Sequence, residues 1–228
     1  MSSKESNTKL RRRKKKVLMP KRDDIIKITC AGCHRSGSTW LFNAARLIMQ
    51  STGQEVYSCF VTDYDPEHSA PVHVVKCHNR HRILLDSHYF FTTKRDPRDI
   101  AASAVRRNLI EEKDAIKYLK RVISKEYERW RHYTNLEIQY EDLIGNKDVY
   151  IRRISKILKA KVKPGTIRKR IESLPIPEGE KERDPVTLLH GNHITDGKLG
   201  SYKRTLSATT QTEICAVFYN WMKRHGYL

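Results

Sequence analysis

No stretch of this 228-residue chain approaches the roughly 20 consecutive apolar residues that a bilayer-spanning helix needs, so a Golgi-type membrane anchor is not expected. No signal peptide is recognisable either, and the expected location is cytoplasmic. Acidic residues are scarce beside basic ones, 26 Asp and Glu against 45 Lys and Arg, for a formal charge of +19. A surplus of that size favours anionic partners. The five cysteines form no repeating framework, which excludes a disulfide scaffold and points to a reducing compartment with mostly buried thiols. Cys59, Cys77 and Cys215 supply no second close pair to join Cys30 and Cys33, so no metal site is expected. Internal repeats are absent as well, and the length suits one α/β domain.

The basic surplus is uneven. Residues 1–22 hold ten lysines and arginines against one glutamate, a net of +9, with almost nothing apolar to bury. This segment reads as a disordered basic tail, able to serve as a nuclear address or as a contact for nucleic acid or an anionic membrane. Residues 23–228 read as the single folded domain.

What the chain does contain begins at residues 25–29, a short β-branched run, followed by Gly32-Cys33-His34-Arg35-Ser36-Gly37-Ser38-Thr39 and then an amphipathic helical pattern from Ser38. A glycine-spaced loop between a strand and a helix collects backbone N–H groups and the positive end of a helix dipole on one anion. The ATP-binding version of this loop carries G-x-x-x-x-G-K-[ST]. Here Ser38 stands in place of that lysine, and Arg35 supplies a cation from within the loop, which points to a nucleotide-bound donor other than ATP. Cys30-Ala31-Gly32-Cys33-His34, which overlaps this loop, satisfies C-x-x-C-H, a haem-attachment pattern, but the loop reading explains more of the segment.

The segment Arg35-Ser36-Gly37-Ser38-Thr39-Trp40-Leu41 resembles the first signature of the sulfotransferases that use 3′-phosphoadenosine 5′-phosphosulfate (PAPS), roughly P-[KR]-[ST]-G-[ST]-[ST]-W-L, with His34 where that family usually has proline. A second resemblance lies in residues 94–103, where Arg95 leaves a strand end, Asp96 suits a helix N-cap, Pro97 suits the first helical position and Ser103 falls in the second turn. The resemblance implies that Arg95 and Ser103 hold the donor's 3′-phosphate; read without it, Arg95 could simply pair with Asp99. Between these segments, residues 72–78 resemble the family's strand ending in K-x-H. Alternation puts Lys76 and His78 on one face of an extended segment. The resemblance makes His78 the general base and Lys76, with Arg35, the stabiliser of charge on the transferred group; His68, His73, His81 and His88 remain as structural counterparts. Residues 190–203 are similar to the late G-K-x-G pattern that closes over the adenosine, with Gly197, Lys198 and Gly200 as donor contacts, although Thr195-Asp196 replaces the usual Arg-Lys. Tyr140, in a Y-E-D-L segment, would lie near the base.

Together these imply a three-layer α/β/α fold with a central parallel sheet, P-loop-like, and sulfuryl transfer from PAPS to an acceptor hydroxyl or amine without a metal. The loop Arg35, Ser36, Gly37, Ser38, Thr39 and Trp40 would cradle the donor. The acceptor class includes an acidic glycan or a small molecule. Alternatives are a nucleotide or small-molecule kinase and a basic nucleic-acid-binding module. Further along, residues 110–132 read as helical, 136–140 as a strand and 148–159 as a helix. Residues 175–203 read as an irregular functional flap, and a last helix contains Ile214, Val217, Phe218, Trp221 and Met222.

Overall fold

The computed structural model describes residues 25–178, 183–191 and 197–228; the basic tail read over residues 1–22 lies outside them. Five strands form one all-parallel sheet in the order β2-β3-β1-β4-β5: β1 (Ile26–Cys30), β2 (Val56–Phe60), β3 (Val72–Lys76), β4 (Tyr89–Lys94) and β5 (Leu136–Gln139). Parallel strands are covered on both faces and so read as continuous apolar or β-branched runs, and β3 is buried at every position. Their two-residue alternation sorts the core. Ile28, Val74 and Phe91 face a cluster with Leu41, Phe42, Ile48, Ile151 and Ile154, whereas Val75, Cys77 and Phe90 face the opposite cluster around Trp130.

The first face is covered by α1 (Ser38–Gln50), which packs on α5 (Lys147–Ile157) and α6 (Pro164–Glu172), with the short α4 (Tyr140–Gly145) leading into α5. A separate cluster joins α2 (Pro97–Arg106), α3 (Ala115–Arg121), α8 (Ala208–Val217) and α9 (Tyr219–Arg224) around Ile100, Leu119, Phe218, Trp221 and Met222, with α7 (Tyr202–Thr205) against α2. The α/β class and the layered parallel sheet agree with the sequence reading. Among the described residues no helix is long and apolar enough to cross a membrane.

Several elements differ from expectation. The helix read over residues 110–132 breaks into a 3₁₀ turn at Glu112–Asp114, α3, and a π-helical turn at Val122–Tyr127 that buries Val122, Ile123, Glu126 and Tyr127 together. Tyr140 starts α4 instead of ending β5, and Glu141 and Asp142 in that first turn complement the helix dipole. The last helix divides at Phe218, leaving Val217 half exposed while Ile214, Trp221 and Met222 stay buried. Helix α6 was not foreseen, although Pro164 occupies its first turn.

In this strand order the chain runs from β1 to β2 and β3 on one side and then to β4 and β5 on the other. The carboxyl ends of β1, β3 and β4 therefore border a switch-point crevice, where open α/β sheets take their ligands. In register, Cys30 lies opposite Lys76 on one side and Phe91 on the other. The first residues beyond these strand ends are those singled out by sequence.

Candidate active site

After Cys30 the chain turns through residues 31–37 into α1. Gly32 and Gly37 have φ of 140° and 87°, and Arg35 sits at 63°. The loop is tied to β4 through Ala31 N–H to Phe91 O at 2.8 Å and Cys33 N–H to Thr93 O at 3.2 Å. A Cβ on Gly32 would lie 2.8 Å from both the backbone N and O of Thr93, so only glycine fits. Gly32→Ala is therefore expected to cost at least about 3 kcal/mol and to lower Tm by roughly 6–12 °C in a thermal melt. A melt within about 2 °C of wild type would contradict this geometry.

The resemblance makes Ser36 a donor contact. Its hydroxyl is fully buried, donating to Cys33 O at 2.6 Å and lying 2.6 Å from Thr93 Oγ1, so its side chain braces the loop from inside. Helix α1 has neither a side-chain cap at Gly37 nor an acidic residue in its first turn, which leaves the positive end of its dipole for an anion.

Cations gather at this point. Lys76 Nζ donates to Thr39 Oγ1 at 2.6 Å, and Arg35 Nε donates to Ser103 Oγ at 2.9 Å. Burial first, then the Arg183 and Arg35 charges, push the Lys76 ammonium down to about 7. Burial and then Arg107 lower the Arg35 guanidinium to about 10. His78 Nδ1 lies 2.8 Å from Gly32 O, so Nδ1 carries the proton and Nε2 the lone pair. Burial, then His34 and Lys76, hold the His78 imidazole well below its ordinary range, hence neutral at pH 7. Trp130 Nε1 donates to His78 O at 3.0 Å and fixes the backbone beneath the ring.

On the other wall, Asp96 caps α2 by accepting from Arg98 N–H, and Pro97 starts the helix, as the sequence indicates. Arg95 is almost wholly buried. It donates to Arg35 O at 3.2 Å and to Lys198 O at 3.1 Å, and lies 4.1 Å from the centre of the Tyr140 ring. Among the described residues its buried Nε finds no hydrogen-bond partner, nor does Trp40 Nε1. The ion pair with Asp99 exists at 3.7 Å, but that carboxylate also accepts from Gly200 N–H, Tyr202 N–H and Ser201 Oγ at 2.8 to 3.2 Å, drawing residues 200–202 onto α2.

A cleft of about 560 Å³ gathers His34, Arg35, Gly37, Ser38, Thr39, Trp40, Lys76, His78, Arg95, Ser103, Tyr140 and Gly197 on its lining. Ser36, Lys198 and Gly200 are not on the lining; Lys198 contributes its carbonyl and Gly200 its N–H to the contacts given above. Tyr140, Leu143, Ile144, Leu174 and Ile176 make an apolar end next to Trp40. The lining also holds residues to which the sequence reading gave no role, among them three polar ones. Arg107 was legible as the residue one helical turn beyond Ser103; His190, which accepts from Arg107 at 3.3 Å, opens the 190–203 segment but precedes its G-K-x-G pattern, and Asn43 carried no local signal. His68 and His73 belong to a separate ring cluster with Tyr57 and Tyr64.

Cys30 and Cys33 are both fully buried, and burial raises both thiols, which leaves the haem pattern without an accessible sulfur. The described residues do bring His34, His78 and Glu126 within 4.8 Å of one another through their ligand atoms, a grouping the cysteine count gave no hint of.

An open helix end and a group of buried cations thus lie together at the switch point of a parallel sheet. Solved structures narrow the fold. Two retinol dehydratase structures, one with androsterone and the inactive cofactor PAP and one with retinol and PAP, match with TM-scores of 0.59 and 0.60 at 15% and 16% identity. Both matches cover 90% of this chain, and 82% and 83% of those chains. Mouse sulfotransferase SULT7A1 complexed with PAP matches with a TM-score of 0.61 at 14% identity, covering 89% of this chain and 84% of that one. The chain has the sulfotransferase fold. No protein-family model and no curated protein sequence matches it.

Proposed function

We propose that this protein is a sulfotransferase that moves a sulfuryl group from PAPS to an acceptor hydroxyl or amine and releases 3′,5′-adenosine bisphosphate. The observation that carries the reading is the joint placement of Arg35, Lys76, His78, Arg95 and Ser103 on one cleft at the open end of α1. The buried, unfilled donors Arg95 Nε and Trp40 Nε1 fit a nucleotide rich in acceptor atoms. In this reading Arg95 and Ser103 hold the 3′-phosphate, the apolar end beside Trp40 and Tyr140 takes the base, and the loop takes the 5′-phosphosulfate.

Transfer follows in-line displacement, with positioning and charge stabilisation supplying most of the catalysis. His78 Nε2 accepts the proton of the acceptor group as the acceptor atom bonds to sulfur. The bond from sulfur to the leaving phosphate oxygen breaks, and Lys76, Arg35 and the first N–H groups of α1 meet the charge left on that oxygen. Retinol and androsterone, bound by the structural neighbours, are both alcohols, which supports a hydroxyl acceptor. All five cysteines are free, four of them buried, in keeping with a reducing, cytoplasmic setting.

Incubation with donor labelled in its sulfur tests the reaction directly. Appearance of the bisphosphate with loss of label from the donor is expected, whereas consumption of the γ-phosphate of ATP would turn the assignment to a kinase.

The pH dependence follows from Lys76. With its ammonium brought down to about 7, it loses its proton as pH rises through that value, while a bound anion favours the charged form. Bisphosphate binding at pH 8 is therefore expected to take up a proton and to weaken between pH 7 and 9. Calorimetric heats in two buffers of different ionisation enthalpy check this: they should differ between buffers in the wild type and agree in Lys76→Met, and buffer-independent heats in the wild type would contradict it.

A further inference from the structure

Beside the proposed base the fold holds a second imidazole that the transfer step leaves unused. His34 lies nearly parallel over His78, ring centroids 3.6 Å apart and planes 23° apart. Glu126 grips it from behind. The backbone N–H and Nδ1 of His34 both bond to Glu126 Oε2, at 2.9 and 2.7 Å, and Arg121 Nη1 donates to Oε1 at 3.0 Å. The Glu126 side chain is fully buried, and it is carried by the π-helical turn Val122–Tyr127, a backbone form that is rare and concentrates at functional sites.

We propose, resting on the reading of His78 as base, that His34 held by Glu126 is a positioning residue for His78. Torsion about the Cβ–ring bond of histidine is broad, so the hydrogen bond from His78 Nδ1 to Gly32 O restrains one edge of the ring and leaves its tilt to its ring contacts, of which Phe60 stands at 6.0 Å and His34 at 3.6 Å. The stacked face of His34 removes that freedom, and the Glu126 bonds in turn fix His34. A misplacement of about 1 Å at a reacting group can cost about 100-fold in rate. The rival role is that His34 and Glu126 merely staple the loop, in which case the stack itself would be idle.

Two substitutions in the full chain separate these roles. His34→Asn retains an amide donor for Glu126 but removes the stack, and His34→Phe retains the stack but removes Nδ1–H. Transfer from PAPS to 4-nitrophenol and to water, bisphosphate affinity, and the ¹⁵N spectrum of the His78 ring are the readouts. In His34→Asn, transfer at saturating donor should fall roughly 10–100-fold with bisphosphate affinity changed less than about twofold, and His34→Phe should recover most of the rate. The His78 ring should show one Nδ1–H tautomer in wild type and His34→Phe, and averaged tautomers in His34→Asn. Wild-type transfer and an unchanged His78 spectrum in His34→Asn would overturn the proposal, as would equal loss of bisphosphate affinity in both variants. A wild-type protein that binds bisphosphate and transfers nothing would count against the transferase reading alone, and the tautomer comparison would still decide whether His34 positions His78.

Discussion

His78→Ala is expected to reduce transfer at saturating donor by about 10²–10⁴-fold while leaving bisphosphate affinity within a few-fold of wild type. The ring lies on the cleft with its Nδ1 proton committed to Gly32 O, and it is neutral at pH 7, so Nε2 is a lone pair ready for the acceptor proton. In the proposed reaction, removing it takes away the group that acts on the acceptor and leaves the residues assigned to the donor's phosphates in place. The expected pattern is therefore a loss in kcat with donor affinity retained. A variant that turned over at wild-type rate but bound the bisphosphate poorly would reverse the assignment and make His78 a donor-binding residue. Because burial, His34 and Lys76 keep His78 neutral on the acid side and Lys76 is charged there, transfer at subsaturating donor should hold its rate below pH 7 and fall above it, as the free enzyme's Lys76 loses its proton.

Arg95→Ala carries the second large effect, on affinity. The side chain offers a fork of donors, one still unfilled, from a buried position between Tyr140 and the loop. Loss of charge-assisted bonds to a phosphate costs about 1.5–3 kcal/mol each, which corresponds to roughly 10²-fold or more in bisphosphate affinity. Arg95 also donates to Arg35 O and Lys198 O, so a drop in Tm should accompany the loss. The fall should be much smaller for 5′-AMP, which lacks the 3′-phosphate. Equal weakening for both nucleotides would show that Arg95 acts by holding the loops in place.

The parts of the site that could be read in advance are those set by short-range geometry. The strand, glycine loop and uncapped helix start span residues 26–50 without a break, Lys76 ends β3 with His78 two residues beyond it, and Arg95, Asp96 and Pro97 follow directly on β4. Glycine spacing, β-branched runs and helix-capping chemistry are local, and they placed these residues at the same sheet edge. What was missed depends on contacts distant in sequence. His34 meets Glu126 across 92 residues, and Gly200 meets Asp99 across 101. The π-helical turn that brings Glu126 inward is likewise a tertiary outcome, since an apolar period of 3.6 reads through it as an ordinary helix. Ser36 shows the opposite failure: its motif position was recognised, but only packing against Thr93 reveals that its hydroxyl faces inward. The split at Phe218 follows the same rule, because burying Ile214, Trp221 and Met222 together matters more than continuing one helix.

The central claim is that this cleft is built for a 3′-phosphorylated adenosine nucleotide. Calorimetric binding of 3′,5′-adenosine bisphosphate, compared with 5′-AMP and ATP on the same protein, tests it most directly. Selective binding of the bisphosphate, lost in Arg95→Ala, is the predicted result; binding of ATP as tight as or tighter than that of the bisphosphate would contradict it.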